Sequence, residues 1–125
     1  MRIIILALSI FVFSTFANAN ERSIVFDGTG AFFDGNQLND LCKVNLQSCS
    51  AYIEGIADAI KARDEWLIEA SKIKTGIMCI PKLVTGHQLV DIFFQYTSDH
   101  PEGRHYAASS IAINAFSIAF PCKYP

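Results

Sequence analysis

Four cysteines constrain this chain more than any other feature, because all of them follow a segment with the layout of a secretory signal. Arg2 supplies a positive start, and Ile3 to Phe16 is apolar except for Ser and Thr. Ala17-Asn18-Ala19 is a small-x-small cleavage tripeptide. A membrane anchor needs roughly 20 apolar residues, and this run is shorter. The expected organisation is therefore a signal peptide over 1–19 and one mature domain over 20–125, periplasmic or secreted, with no membrane insertion after cleavage. In an exported chain an even cysteine count points to disulfides rather than thiols. Cys42, Cys49, Cys79 and Cys122 are spaced without any Cys-x-x-Cys pair, which argues against zinc.

Without Arg2, nine Lys and Arg face twelve Asp and Glu. That weakly acidic balance excludes the basic face that nucleic acid requires, and it gives no attraction to an anionic membrane. A domain of this size buries a modest share of its surface, so each disulfide carries weight in its stability.

The pattern predicts an all-α, compact four-helix domain with two disulfides. Asn20 to Phe33 reads as irregular. The first helix starts at Asp34, where Gln37 completes a capping box and Phe33 and Leu38 form a hydrophobic staple, and it ends near Lys43. Ser48 is the expected cap of the longest helix, running towards Ser71. Its apolar stripe comprises Tyr52, Ile53, Ile56, Ala59, Ile60, Trp66, Leu67 and Ala70, with Arg63 snorkelling past the edge. Lys61, Asp64, Glu65 and Glu69 are expected to point elsewhere, and Lys72, Lys74 and Gly76 to punctuate the end. Thr85 and Gln88 form a second capping box, with Val84 and Leu89 as its staple. That third helix stops before Pro101. From Tyr106 to Phe120 no residue is charged; Ala107, Ala108, Ile111, Ala115, Ile118 and Ala119 line one side, while Ile113, Phe116 and Phe120 fall off it. A helix apolar nearly all round predicts burial nearly all round. The expectation is a homodimer contact through Ser110, Ile113, Asn114 and Ser117.

Four cysteines allow three pairings. The helix map favours Cys42–Cys49, which flank one helix connection, and Cys79–Cys122, which meet if the third and fourth helices pack antiparallel.

Catalytic patterns are missing. Cysteines held in disulfides are not nucleophiles, no Gly-x-Ser-x-Gly elbow occurs, and Ser109-Ser110 lies inside an apolar helix. His87, His100 and His105 form no His-Glu-x-x-His arrangement and read as surface or turn residues, not metal ligands. Asp64, Glu65 and Glu69 read as a solvated acidic face. The expectation is a binding protein without cofactor or metal, and not an enzyme.

The motifs resemble the Rap1a/Tai immunity proteins. The likeness runs from Phe33-Asp34-Gly35-Asn36-Gln37-Leu38 to Cys42, then through Cys49-Ser50-Ala51-Tyr52-Ile53-Glu54-Gly55. It continues through Cys79-Ile80-Pro81, Val84-Thr85 and Gln88-Leu89, then Tyr96, His100-Pro101-Glu102 and Arg104-His105, ending in Phe120-Pro121-Cys122. Gly103 departs from the charged residue more usual there. The resemblance implies a helical, often dimeric periplasmic protein. Such a protein blocks a peptidoglycan amidase delivered by type VI secretion, a secreted protein partner. Its contacts would come from loops, here Ser71 to Ile77 and Ser98 to His105, with Lys72, Lys74, Asp99, His100, Glu102 and Arg104 as candidates. A general periplasmic binding or stress chaperone on the same scaffold is the alternative reading.

Overall fold

The computed structural model describes residues 31–123; the expected signal peptide and most of the stretch expected to be irregular lie outside the described residues. Four α-helices follow in order: α1 (Gly35–Val44), α2 (Leu46–Glu69), α3 (Gly86–Asp99) and α4 (Ala108–Ala119). A 3-10 turn at Pro101–Gly103 precedes α4. Among the described residues there is no strand, only a bridge between Asp34 and Ala107. The all-α architecture read from the sequence is the one observed.

Both capping boxes form. Asp34 Oδ1 accepts from the Gln37 N–H at 2.8 Å, while Gln37 Oε1 accepts from the Asp34 N–H at 2.9 Å. Thr85 and Gln88 repeat the exchange at α3. Each box satisfies two backbone donors that a helix start otherwise leaves open. The staples place Leu38 and Leu89 in the core.

The junction of α1 and α2 differs from expectation. Ser48 is not the cap of α2. Asn45 is, accepting from the Ser48 N–H at 3.0 Å, and its own N–H closes α1 on Leu41 O at 2.8 Å. One residue thus ends one helix and starts the next. Asparagine suits both tasks, since it tolerates irregular backbone and carries a capping oxygen. The tight corner brings Cys42 and Cys49 to a Cα separation of 4.8 Å, where they are joined as a disulfide.

The core consists of Leu38, Ile53, Leu89, Val90, Phe93, Ile111, Ala112, Ala115 and Phe116, with the Cys42–Cys49 pair among them. Phe93 and Phe116 are its largest wholly buried side chains. Phe33 stacks edge-on to Tyr52, with ring centroids 5.1 Å apart. Burial there raises the Tyr52 hydroxyl above its ordinary pKa of 10.0, because the charged phenolate loses hydration. Buried polar groups are paired: the Thr97 hydroxyl reaches Asn39 Oδ1 at 3.2 Å and Phe94 O at 3.1 Å.

Two helix faces depart from the sequence reading. On α2, Ser50, Ala57 and Asp64 sit on the inward side with Ile53, Ile56 and Ile60, whereas Trp66, Ala59 and Ala70 are exposed. The inward face is turned relative to the apolar stripe. In the last turns of α2, Trp66 and Ile68 are left exposed at 64% and 44%, while Leu67 is half-buried. On α4, Phe116 is buried and Ile118 is 69% exposed, the reverse of the expected assignment. Ala119 points inward like Ala112 and Ala115 yet is also exposed, so the last turn overruns the core.

Helix α2 ends at Glu69, two residues short of the expected Ser71, and Lys72, Lys74 and Gly76 follow it. Ser71 takes φ 56°, its N–H bonds to Ile68 O, and the Lys72 N–H bonds to Leu67 O, both at 2.9 Å. These paired bonds form a Schellman cap with serine in the left-handed position that glycine usually fills.

Candidate functional site

Past Ser71 the chain turns back and runs along α2 as a strap, residues 76–86, before entering α3. Asp64 fixes its start. This carboxylate is buried at 5% exposure, although the sequence placed it on a solvated acidic face with Glu65 and Glu69. Its Oδ2 accepts from the Ile77 N–H at 2.7 Å, and its Oδ1 takes a donor from Arg63 Nη1 at 2.6 Å. A carboxylate tolerates burial when its oxygens are engaged in this way. The strap's middle is tied to the chain end: Cys79 and Cys122 are joined as a disulfide with Cα atoms 4.9 Å apart, and the Cys79 N–H donates to Phe120 O at 2.9 Å. At its far end Gly86 lies against Glu54 so closely that a Cβ would collide with Glu54 Oε1. Ser50 holds that carboxylate with a 2.7 Å hydrogen bond.

Between strap and helix lies a groove of about 570 Å³. One wall is the α2 face bearing Glu54, Asp58, Lys61, Glu65 and Ile68, residues at helical spacing. The floor and opposite wall include Met78, Ile80, Pro81, Val84 and Leu89, with Lys82 on the strap.

Asp64→Ala should cost about 2 kcal/mol, the typical worth of hydrogen bonds to a charged acceptor. Urea unfolding measures the loss, and amide exchange at Ile77 should accelerate. Unchanged exchange there would show that Asp64 does not anchor the strap.

The candidate contact residues fall into two groups. Asp99, His100, Glu102 and Arg104 come together at the end of α3. The His100 ring lies 4.5 Å from that of Tyr96, and its Nδ1 is 3.4 Å from Glu102 Oε1. Arg104 Nε donates to Thr97 O at 2.6 Å, which closes α3 and gives this arginine a structural task besides any contact. Lys72 and Lys74 are exposed in the segment leading to the strap. No hydrogen bond or ion pair among the described residues joins the two groups. Ser110 and Asn114 are exposed on the outward side of α4, and Ile113 and Ser117 are half-buried beside them.

His87, His100 and His105 are all exposed. His87 shares a shallow hollow with Ser50 and Glu54, and the Ser50 hydroxyl donates to Glu54 at 2.7 Å. No three His, Cys, Asp or Glu side chains among the described residues gather as metal ligands. No described helix is long and apolar enough to cross a membrane.

The sequence signals missed Asp64 and Gly86. Asp64 lies next to two other charges and reads as solvent-facing, and Gly86 reads as an ordinary first-turn residue. Both roles depend on a strap that no helical period reveals.

Neither the curated proteins nor the solved structures supply a match to this chain. The family model described as Rap1a immunity proteins matches residues 34–122, from the cap of α1 to the last cysteine. Immunity proteins act by binding a protein effector. The chain belongs to the Rap1a immunity protein family.

Proposed function

We propose that this protein is a periplasmic immunity protein that binds a peptidoglycan amidase delivered by type VI secretion and occludes its substrate cleft. The family match over 34–122 carries this reading. A scaffold closed by two disulfides supports it, because rigid loops lose little conformational entropy on docking, and that lowers the cost of binding. The paired cysteines also suit an oxidising compartment outside the cytoplasm. Inhibition here requires no turnover by this chain, only coverage of another enzyme's cleft. Lys72 and Lys74 on one loop, and Asp99, His100, Glu102 and Arg104 on the other, are the proposed contacts. The outward side of α4, with Ser110, Ile113, Asn114 and Ser117, is proposed to pair two copies.

The test uses the mature protein and a purified peptidoglycan amidase encoded beside its gene; the absence of any such gene there would count against the reading. Tight one-to-one binding per subunit, with loss of peptidoglycan hydrolysis, is expected, and sedimentation of the same sample reports the dimer. An amidase that remains fully active in excess of this protein would overturn the reading.

A further inference from the structure

We infer that the groove between α2 and the strap receives a protruding segment of the effector that carries a lysine or arginine beside an apolar side chain. This inference rests on the immunity reading above and names a contact surface that neither loop group contains.

The floor and strap wall offer Met78, Ile80, Val84 and Leu89, and Ile68 stands 44% exposed on the helix wall. Leu83, between two lining residues, is 92% exposed on the strap. A large apolar side chain held in water beside an open groove is a surface suited to covering.

Charge selects the occupant. Four carboxylates, Glu54, Asp58, Asp64 and Glu65, line the groove against the two amines of Lys61 and Lys82. Asp64 is engaged by Arg63 and the strap, and Lys61 lies 3.9 Å from Glu65 in an exposed pair. Glu54 is held by Ser50, so Asp58 and Glu65 are the exposed carboxylates that a cation would meet at the rim. The groove holds a large part of the net negative charge of the chain, and low-dielectric walls focus such a field on an approaching cation. A second copy of this acidic chain fits that field poorly. A cationic segment flanked by apolar side chains satisfies both the rim and the floor.

The strap is held at its start by Asp64 and in its middle by Cys79–Cys122. Two anchors fix the strap before a partner arrives, and preorganisation of this kind lowers the cost of binding.

The test compares wild-type protein, the double variant D58K/E65K and a control reversal, D40K/D91K, against the amidase used to test the immunity reading. All four substituted residues are exposed, so circular dichroism should show the same fold in each protein. Reversal in the groove is expected to weaken binding by about 10- to 100-fold and to flatten its salt dependence, while the control stays within about threefold. If wild type binds and D58K/E65K binds equally well, the groove assignment is overturned and the immunity reading stands. If wild type does not bind the amidase, the immunity reading fails and the groove assignment falls with it. A change in self-association without a change in amidase affinity would assign the groove to a second copy and overturn the inference.

Discussion

Gly35→Ala is expected to destabilise the domain by about 3 kcal/mol, although it exchanges a poor helix former for the best one. Gly35 is the buried first residue of α1. A Cβ there would stand 2.6 Å from Ile111 Cδ1 and 2.8 Å from Arg104 O. The isoleucine methyl can swing aside. The carbonyl cannot, because it accepts the Asn36 N–H at 3.1 Å. Two further backbone bonds hold the same seam, Gly35 N–H to Tyr106 O at 3.0 Å and Ala108 N–H to Phe33 O at 2.9 Å. Relief of the clash has to shift α1 away from the 104–108 segment, which adds lost hydrogen bonds of about 1 kcal/mol each to the overpacking cost. Gly55→Ala is the matched comparison. It lies within α2, and a Cβ there meets nothing within 4 Å. That substitution should raise stability by about 0.8 kcal/mol through helix propensity alone. Urea midpoints of the two variants should therefore move in opposite directions. If both move upward, the seam is looser than its geometry indicates.

Gly35 also shows where sequence reasoning works and where it stops. Asp34, Gln37 and Leu38 announce the start of α1, since capping and staple chemistry acts between residues three to five apart. The same holds at Thr85, Gln88 and Leu89. Such signals are local, and the structure follows them. The seam between Gly35 and Tyr106 joins segments some seventy residues apart in the chain, and nothing beside Gly35 reports it. Asp64 makes the point with charge. Hydrophobic periodicity assigns it to water, whereas a strap returning from the far end of α2 buries it and supplies the Ile77 N–H. The periodicity of α2 is real, but it cannot tell how far α3 and α4 reach along the helix. Trp66 belongs to the apolar stripe and yet is exposed at 64%. The groove was illegible for the same reason. One wall is a readable helix face, and the other is a strap without a period. The loop contacts and the α4 contact remain proposals drawn from the family resemblance and from composition.

C79A/C122A is expected to cost about 4 kcal/mol, the chain-entropy value for releasing a closed loop of 43 residues. That is a large fraction of the roughly 5–15 kcal/mol that stabilises a typical domain. The shorter Cys42–Cys49 loop, with a separation of 7, contributes about 2.4 kcal/mol by the same relation, with a packing term added because both its cysteines are buried. The two bonds also differ in accessibility. Cys79 is exposed and Cys122 half-buried, whereas Cys42 is 5% exposed and Cys49 wholly buried. A thiolate reductant needs access to sulfur, so mild reduction followed by alkylation should label Cys79 and Cys122 first. Peptide mapping of the unreduced protein identifies the same two pairs at the start of that experiment. Once the longer bond opens, the middle of the strap is held to the fourth helix's end only by the bond from the Cys79 N–H to Phe120 O. Amides from Ile77 to Val84 should then exchange faster than those of α1, and the affinity for the proposed amidase partner should fall before global unfolding. Earlier labelling of Cys42 and Cys49, or a loss below about 1 kcal/mol in C79A/C122A, would mean that the strap is held by its packing on α2 and not by the disulfide.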